Sequence, residues 1–244
     1  MTNIVPLDKL EHGSLRVDLR AAAAYGDNQR FVQVMVNEFP QLAVHYPILF
    51  ARERSTGELH CGAMLGFDEG ENLFLGEWAD RELYRPLALR RGPLHTHGQV
   101  VEIDLDHPRV GADGGQPLFN ERGQPGKYLQ GIIWAFQDLN AGIGTTKIFL
   151  ARLTELELIE PADLEVRFPD GSMRTCTGLY GVSEVTLSRL PDATVVELFR
   201  RGYLTLIHLM IASLKQLPLM ARKKHNRVLE ATGSLAGARR MPSG

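Results

Sequence analysis

The sequence predicts an α+β fold: an N-terminal antiparallel β meander or partly closed barrel, carrying a C-terminal helical layer. Three observations lead there. The first half consists of short apolar runs separated by turn residues. Beyond Gly126 the apolar residues fall at helical spacing. The composition, 44% apolar and 23% charged, is that of an ordinary globular chain.

The elements follow in order. Phe31 to Val36 is a short apolar run, and Glu38-Phe39-Pro40 begins a helical turn, where a proline is tolerated. Pro47 ends that turn, and Ile48-Leu49-Phe50 opens a strand. Leu59 to Phe67 returns after the turn Ser55-Thr56-Gly57-Glu58. Asp68 to Asn72 is a second turn, leading to a strand at Leu73-Phe74-Leu75. Pro86 to Arg91 and Gln99 to Leu105 are further strands. Gly111 to Gly126 is a polar, glycine-rich loop of about 15 residues, long enough to imply a role or mobility. Leu129, Ile132, Ile133, Phe136 and Leu139 mark a helix. Asn140 to Gly144 is read as its break, with Thr145 capping the next helix. Leu164 to Phe168 and Met173 to Leu179 flank Pro169-Asp170-Gly171 as a hairpin. Ser183 caps a short helix and Pro191 opens another. Val195 to Ala221 is apolar around most of its circumference and is assigned to the core, with bends at Gly202 and Pro218.

A chain of 244 residues buries roughly 70–75% of its unfolded surface, so it needs no disulfide or metal merely to fold. The reading is a single domain over 1–228 with a flexible tail over 229–244, following the basic run Arg222-Lys223-Lys224-His225. The net charge of -2 gives no argument for nucleic acid. Cys61 and Cys176 belong to no CxxC pair and read as buried thiols. The N-terminus lacks the pattern of a signal peptide, which points to the cytoplasm. The apolar stretch Tyr203–Met220 is interrupted by His208, Lys215, Gln216 and Pro218, so no transmembrane segment is expected against a need for about 20 apolar residues.

Six segments taken together resemble a known family. They are VPLDKLEHGSLRV, EFPQLAVHYPILF, LGFDEGENLFL, YRPLALRRGPL, GQPLFNERGQPGKYLQ and TGLYGVSEVTLSRLPDATVVELFRRGYLTLIHLMIASL. In this order, from Val5 to Leu214, they resemble the SapC family of bacterial proteins. The family is named for an association with bacterial surface layers. Its genes often lie near those for TonB-dependent receptors and flavin-dependent halogenase-like proteins. No reaction is established across it. The resemblance implies an accessory or binding protein linked to surface or nutrient-uptake systems, with another protein or a small ligand as partner. Ile103-Asp104-Leu105-Asp106 fits the family's aspartate-ending strand. His95 and His97 are not part of the family pattern.

The stretch LHTHGQVVEIDLDH carries the sharpest chemical alternative. His95-x-His97 followed by Glu102 matches the core of the first cupin motif. Two histidines two apart on a strand share a face, and a glutamate on the next strand completes three ligands. Such a site takes a divalent transition metal, and the rival reading is a metal-dependent, cupin-like oxidoreductase. Against it, the motif's later histidine has no counterpart, since only His208 and His225 follow His107. The bland reading is a half-buried strand: Val101, Ile103 and Leu105 alternate with Glu102, Asp104 and Asp106.

Arg90 and Arg91 beside Tyr84 are candidates to hold a carboxylate or phosphate, one of the two at most if they lie on a strand. Asp104 and Asp106 are taken as ligand-binding residues with them. Asp104, Asp106, Asp113 and Asn120 also offer oxygens for calcium, at spacings unlike an EF-hand. A ligand is expected between the sheet and the helices. The chain shows no GxSxG, P-loop, GxGxxG or HExxH motif, and neither a reaction nor an oligomeric state follows from it.

Overall fold

The computed structural model describes residues 3–53, 55–76, 83–111 and 114–238, the last eight of them by backbone alone. In chain order the elements are β1 (Ile4–Pro6), α1 (Lys9–His12), β2 (Arg16–Val17), β3 (Phe31–Gln33), α2 (Phe39–Leu42), β4 (Ile48–Arg52), β5 (Leu59–Met64) and α3 (Leu87–Arg90). There follow β6 (Leu94–His97), β7 (Val100–Asp104), β8 (Gln116–Pro117), α4 (Lys127–Glu155), β9 (Ile159–Arg167) and β10 (Met173–Val182). The chain ends in α5 (Glu184–Ser188), α6 (Asp192–Arg200), α7 (Tyr203–Ser213) and α8 (Leu217–Ala238).

The fold is α+β with antiparallel sheets and a C-terminal helical region. One sheet has the order β3-β5-β4-β10-β9, a second β1-β7-β6, and β2 pairs with β8. None closes into a barrel among the described residues. The hairpin β9–β10 completes the larger sheet from the far side of α4, so the sheet is not purely N-terminal.

Local chemistry accounts for most boundaries. The Asp8 carboxylate accepts from the amides of Leu10 and Glu11 and starts α1. Pro40 sits in the first turn of α2. Ser183 caps α5 through the Thr186 amide. Gly202, at φ 73°, separates α6 from α7.

Five sequence expectations need correction. Pro86 to Arg91 is not a strand: Pro86 caps a single helical turn, because the Leu87 amide donates to the buried Glu38 carboxylate at 2.9 Å. Leu73–Leu75 forms turns rather than a strand. Asn140–Gly144 does not break α4, which runs unbroken for 29 residues. A side chain at Gly142 would come within 2.9 Å of Asn37, so the glycine lets a neighbouring turn pack closely on an intact helix. Thr145, read as a cap, instead donates its hydroxyl to the Ala141 carbonyl within that helix. Finally, the apolar C-terminal stretch is only partly core. Tyr203, Ile207, Met210, Met220 and Ala221 are buried, whereas Leu219 is exposed.

Two apolar clusters form. The larger, around Phe39, Tyr46, Phe50, Phe149 and Tyr203, lies between the five-stranded sheet and the helices. The smaller, around Val17, Leu94, Ile103, Leu118, Leu129 and Phe136, belongs to the three-stranded sheet. α4 joins them: Leu129, Ile132 and Phe136 serve the smaller cluster, Phe149 and Leu153 the larger. One stretch, Tyr203–Glu230, is long and apolar enough to cross a membrane by length and composition, at mean hydropathy 1.4. It is a single weak candidate, and Ser213 within it is tied to the sheet by accepting from the Ile48 amide at 2.8 Å. It makes no clear transmembrane segment.

Candidate functional site

A cavity of about 670 Å³ opens at the start of α4. Its wall includes Asp18 and Arg20 from the segment after β2, Gly115 and Gln116 at β8, and Lys127 and Tyr128 from the first turn of α4. The size is typical for a small-molecule site.

Two glycines shape it. A side chain on Gly126 would meet the carbonyl oxygens of Pro117 and Leu118 at 2.9 and 3.1 Å. Only glycine lets the loop press onto the start of α4, where the Gly126 amide donates to the Leu118 carbonyl. Gly92 has φ 55° and faces the Tyr128 hydroxyl and the Arg109 side chain, so a Cβ there would crowd both.

Behind the cavity lies a buried ionic network. Arg109 is 2% exposed and Asp27 3%. The Arg109 guanidinium donates to the Asp27 carboxylate and, at 2.7 Å, to the Asp18 carbonyl. Arg85 donates to both Asp27 oxygens at 3.1 and 3.0 Å. The Ala22 amide donates to Asp27 as well. Tyr25 lies under the Arg109 guanidinium, 4.4 Å from it, and gives its hydroxyl proton to Asp18 at 2.6 Å. Arg20 clasps the same carboxylate through Nε and Nη2. A buried charge is tolerated only when paired and hydrogen-bonded, and here each carboxylate meets that condition.

The network tunes its members. The Arg20 hydrogen bonds hold the Asp18 carboxyl well below the usual carboxylate range, against the effect of burial. The bond to Asp18 raises the Tyr25 hydroxyl. Burial raises the Tyr128 hydroxyl, which donates to the Arg91 carbonyl at 2.7 Å. Asp18 is thus neutralised by its own partners. Lys127 makes no ion pair among the described residues. The cavity therefore offers an exposed ammonium and the amide of Gln116 beside the positive end of a long helix dipole. Chemically, it can hold an anion.

The residues singled out from sequence lie nearby but not in this wall. Arg91 donates to the Leu94 carbonyl, contacts His95 Nδ1 at 2.8 Å, and has its own pKa lowered by burial. Arg90 is exposed and stacks over Tyr84 at 5.6 Å. The two follow one another on a helical turn, not on a strand. Asp104 is buried and accepts from the amides of Asn3 and Asp106 at 3.0 and 3.1 Å, which secures β1 to the turn after β7. Asp106 is exposed in that turn. Asn120 accepts from Arg122 and Gln124 within its own loop. Asp113 lies outside the described residues.

The hairpin β6–β7 pairs His95 directly with Glu102, as the motif spacing requires, while His97 sits exposed opposite Val100. Burial, then the Arg91 charge, lowers the His95 pKa. Among the described residues no group of three or more His, Cys, Asp or Glu is placed to hold a metal ion. A guanidinium on the first histidine opposes a cation there.

Compared with known protein families, residues 7–219 match the SapC family. The chain belongs to the SapC family. No curated protein and no solved structure matches it.

Sequence reasoning missed Asp18, Asp27, Arg85 and Arg109, because single charges between apolar residues look the same whether they point in or out. Lys127 and Tyr128 were closer to reach. They follow the long glycine-rich loop and open the clearest helix, an arrangement that builds anion cradles.

Proposed function

We propose that this SapC-family chain is an accessory or binding protein whose ligand is a small molecule bearing a carboxylate or phosphate. The ligand sits in the cavity at the start of α4. The observation that carries this reading is the wall itself: Lys127 makes no ion pair among the described residues, while Asp18 is already paired with Arg20 and hydrogen-bonded by the Tyr25 hydroxyl. The network around Arg109 supports it, because it fixes the backbone carbonyls of Asp18 and Arg20 and so the rim of the cavity. A role beside bacterial surface or nutrient-uptake systems, which the family resemblance implies, is compatible with a ligand carrier that has no reaction of its own.

The test is titration calorimetry of the full chain with inorganic phosphate, with succinate, and with butane-1,4-diol as the uncharged counterpart. One of the two anions binds saturably, the diol does not, and Lys127→Gln weakens binding roughly tenfold. Equal binding of anion and diol, or an unchanged affinity in Lys127→Gln, would overturn the proposal.

A further inference from the structure

The outward face of α4 carries five residues set seven apart: Lys127, Trp134, Ala141, Ile148 and Glu155, the first and last of which bound the helix. Seven residues are nearly two turns, so the five share one stripe. All of them are exposed, Trp134 at 62% and Ile148 at 56%. The opposite side of the helix, with Ile132, Phe136, Phe149 and Leu153, is buried in the two apolar clusters. Single exposed apolar residues are ordinary, but a tryptophan in line with an isoleucine on one long helix has the composition of an interface.

The order of the five is self-complementary. Laid antiparallel to a copy of itself about Ala141, α4 sets Lys127 against the partner's Glu155, Trp134 against the partner's Ile148, and Ala141 against the partner's Ala141. A two-fold axis makes each unlike pair occur twice. Opposite charges meet at both ends, large apolar groups lie between, and the smallest side chain sits at the dyad. The flanking positions bring no like charges together: Gln137 falls opposite Thr145, Asp138 opposite Gly144, and Gln130 opposite Arg152. Glu155 accepts from Arg152 through one oxygen at 2.9 Å, which leaves its second oxygen for the partner. The stripe drifts by about 20° every seven residues, and two helices crossing at about 20° follow that drift, as in left-handed coiled coils. Gly144 lies beside the stripe, where a Cβ would meet open space. Glycine inside a helix costs about 1 kcal/mol relative to alanine, and the packing of the single chain does not require it here as it does at Gly142. The close approach of a second helix does.

We propose that the chain forms a two-fold symmetric homodimer through the outward face of α4, with the two helices antiparallel about Ala141. The occupant is a second copy of this chain because the charge and size order of the stripe fits its own reverse. Lys127 also lines the cavity at the start of α4, so an anion there and the partner's Glu155 compete for one ammonium. The dimer itself is held by Trp134, Ala141 and Ile148 and does not depend on the anion-binding reading.

The experiment is sedimentation velocity of the full chain over a concentration series, in a buffer without phosphate or carboxylates. A monomer–dimer equilibrium is expected, and Trp134→Glu raises its dissociation constant at least roughly tenfold. Lys127→Glu weakens the dimer by roughly threefold, and Lys127→Glu with Glu155→Lys restores it, because the swap renews both end pairs. Ala141→Cys under mild oxidation gives a disulfide-linked dimer, since the two sulfurs meet at the dyad. Lys147→Cys, exposed on the same helix but about a third of a turn off the stripe, does not. A chain that stays monomeric throughout overturns the proposal. So does a dimer that withstands Trp134→Glu, since another surface would then hold it. A charge swap no better than Lys127→Glu alone, or cross-linking of Lys147→Cys as ready as that of Ala141→Cys, overturns the antiparallel seam and the proposal with it. Should Trp134→Glu fail to fold, the two cysteine variants decide.

Discussion

The two halves of the molecule are held together by different forces. Around the five-stranded sheet the buried groups are mostly apolar: Thr146 and Ser213 accept from backbone amides at 3.1 and 2.8 Å, and the buried charges Glu38 and Lys224 are fewer, Glu38 held by the Tyr84 hydroxyl and the Leu87 amide and Lys224 by Asp68 and Glu71. Around the smaller cluster the apolar core is thin, and ions seal its flank: Asp27 between Arg85 and Arg109, Asp18 between Arg20 and Tyr25. Burying ions costs several kcal/mol each before pairing recovers it, so the second arrangement is a poor way to gain stability alone. It does position donors and carbonyls rigidly. The contrast puts the proposed anion site in the half where buried ion pairs fix the backbone around a cavity.

The largest expected effect breaks that network. Arg109→Met leaves the buried Asp27 with Arg85 as its one counter-charge and takes the guanidinium donor from the carbonyls of Asp18 and Arg20, and should destabilise the chain by about 3 kcal/mol, read by chemical denaturation. It should also weaken anion binding at the α4 cavity. Leu49→Ala, in the apolar half, should cost about 2–5 kcal/mol yet leave that binding intact. If both variants lose binding in proportion to stability, the two halves are not functionally distinct. A smaller effect is expected from Gly126→Ala, where the added carbon meets two carbonyl oxygens. Crowding of this kind costs about 1–3 kcal/mol. Because it moves the loop over the cavity, anion affinity should fall more than stability does.

How much of this was legible in sequence follows the same division. The apolar half was readable: alternation at Leu164, Val166 and Phe168 and the turn Pro169-Asp170-Gly171 located β9 and β10, and Ser183 located its cap. Register within a sheet depends on such local patterns. Failures came where distant contacts overrode local preference. Gly142 and Gly144 read as a helix break because nothing in sequence shows Asn37 packed against Gly142. Arg90 and Arg91 read as strand because the carboxylate of Glu38, which starts their helical turn, is far away in the chain. The candidate site was the least readable part. Its ion pairs join Asp27 to Arg85 and Arg109, and charge alone carries no sign of its partner. The motif reading set Glu102 on the strand after the histidines, but the register that brings it opposite His95 comes from the fold. Spacing could not foresee Arg91 beside it.

A milder probe of the charged half is Tyr25→Phe, which removes one hydrogen bond to Asp18 and keeps the ring under Arg109. A loss of about 1 kcal/mol is expected, together with a rise in the Asp18 pKa that carboxyl NMR can follow. No change in that pKa would mean that Arg20 alone sets it.

The smallest effect concerns pH. His107 accepts the Arg109 amide at Nδ1, 3.1 Å away, which only a neutral ring can do. Burial, then the Arg109 charge, lowers its pKa. Below the ordinary histidine value of about 6.5, the unfolded chain then binds a proton that the folded chain refuses. Stability should therefore fall as pH drops from about 6.5 toward the lowered value, and level off below it. Asp18 adds nothing to this slope, because its depressed carboxyl stays ionised throughout the window. His45 and His95 are lowered as well and contribute in the same direction. His107→Asn keeps an acceptor for the amide and removes the titration, so urea melts across this range should show a shallower dependence than the unaltered chain. An unchanged slope would assign the effect to His45 and His95, and would mean that proton binding at the edge of the ionic network is not coupled to folding.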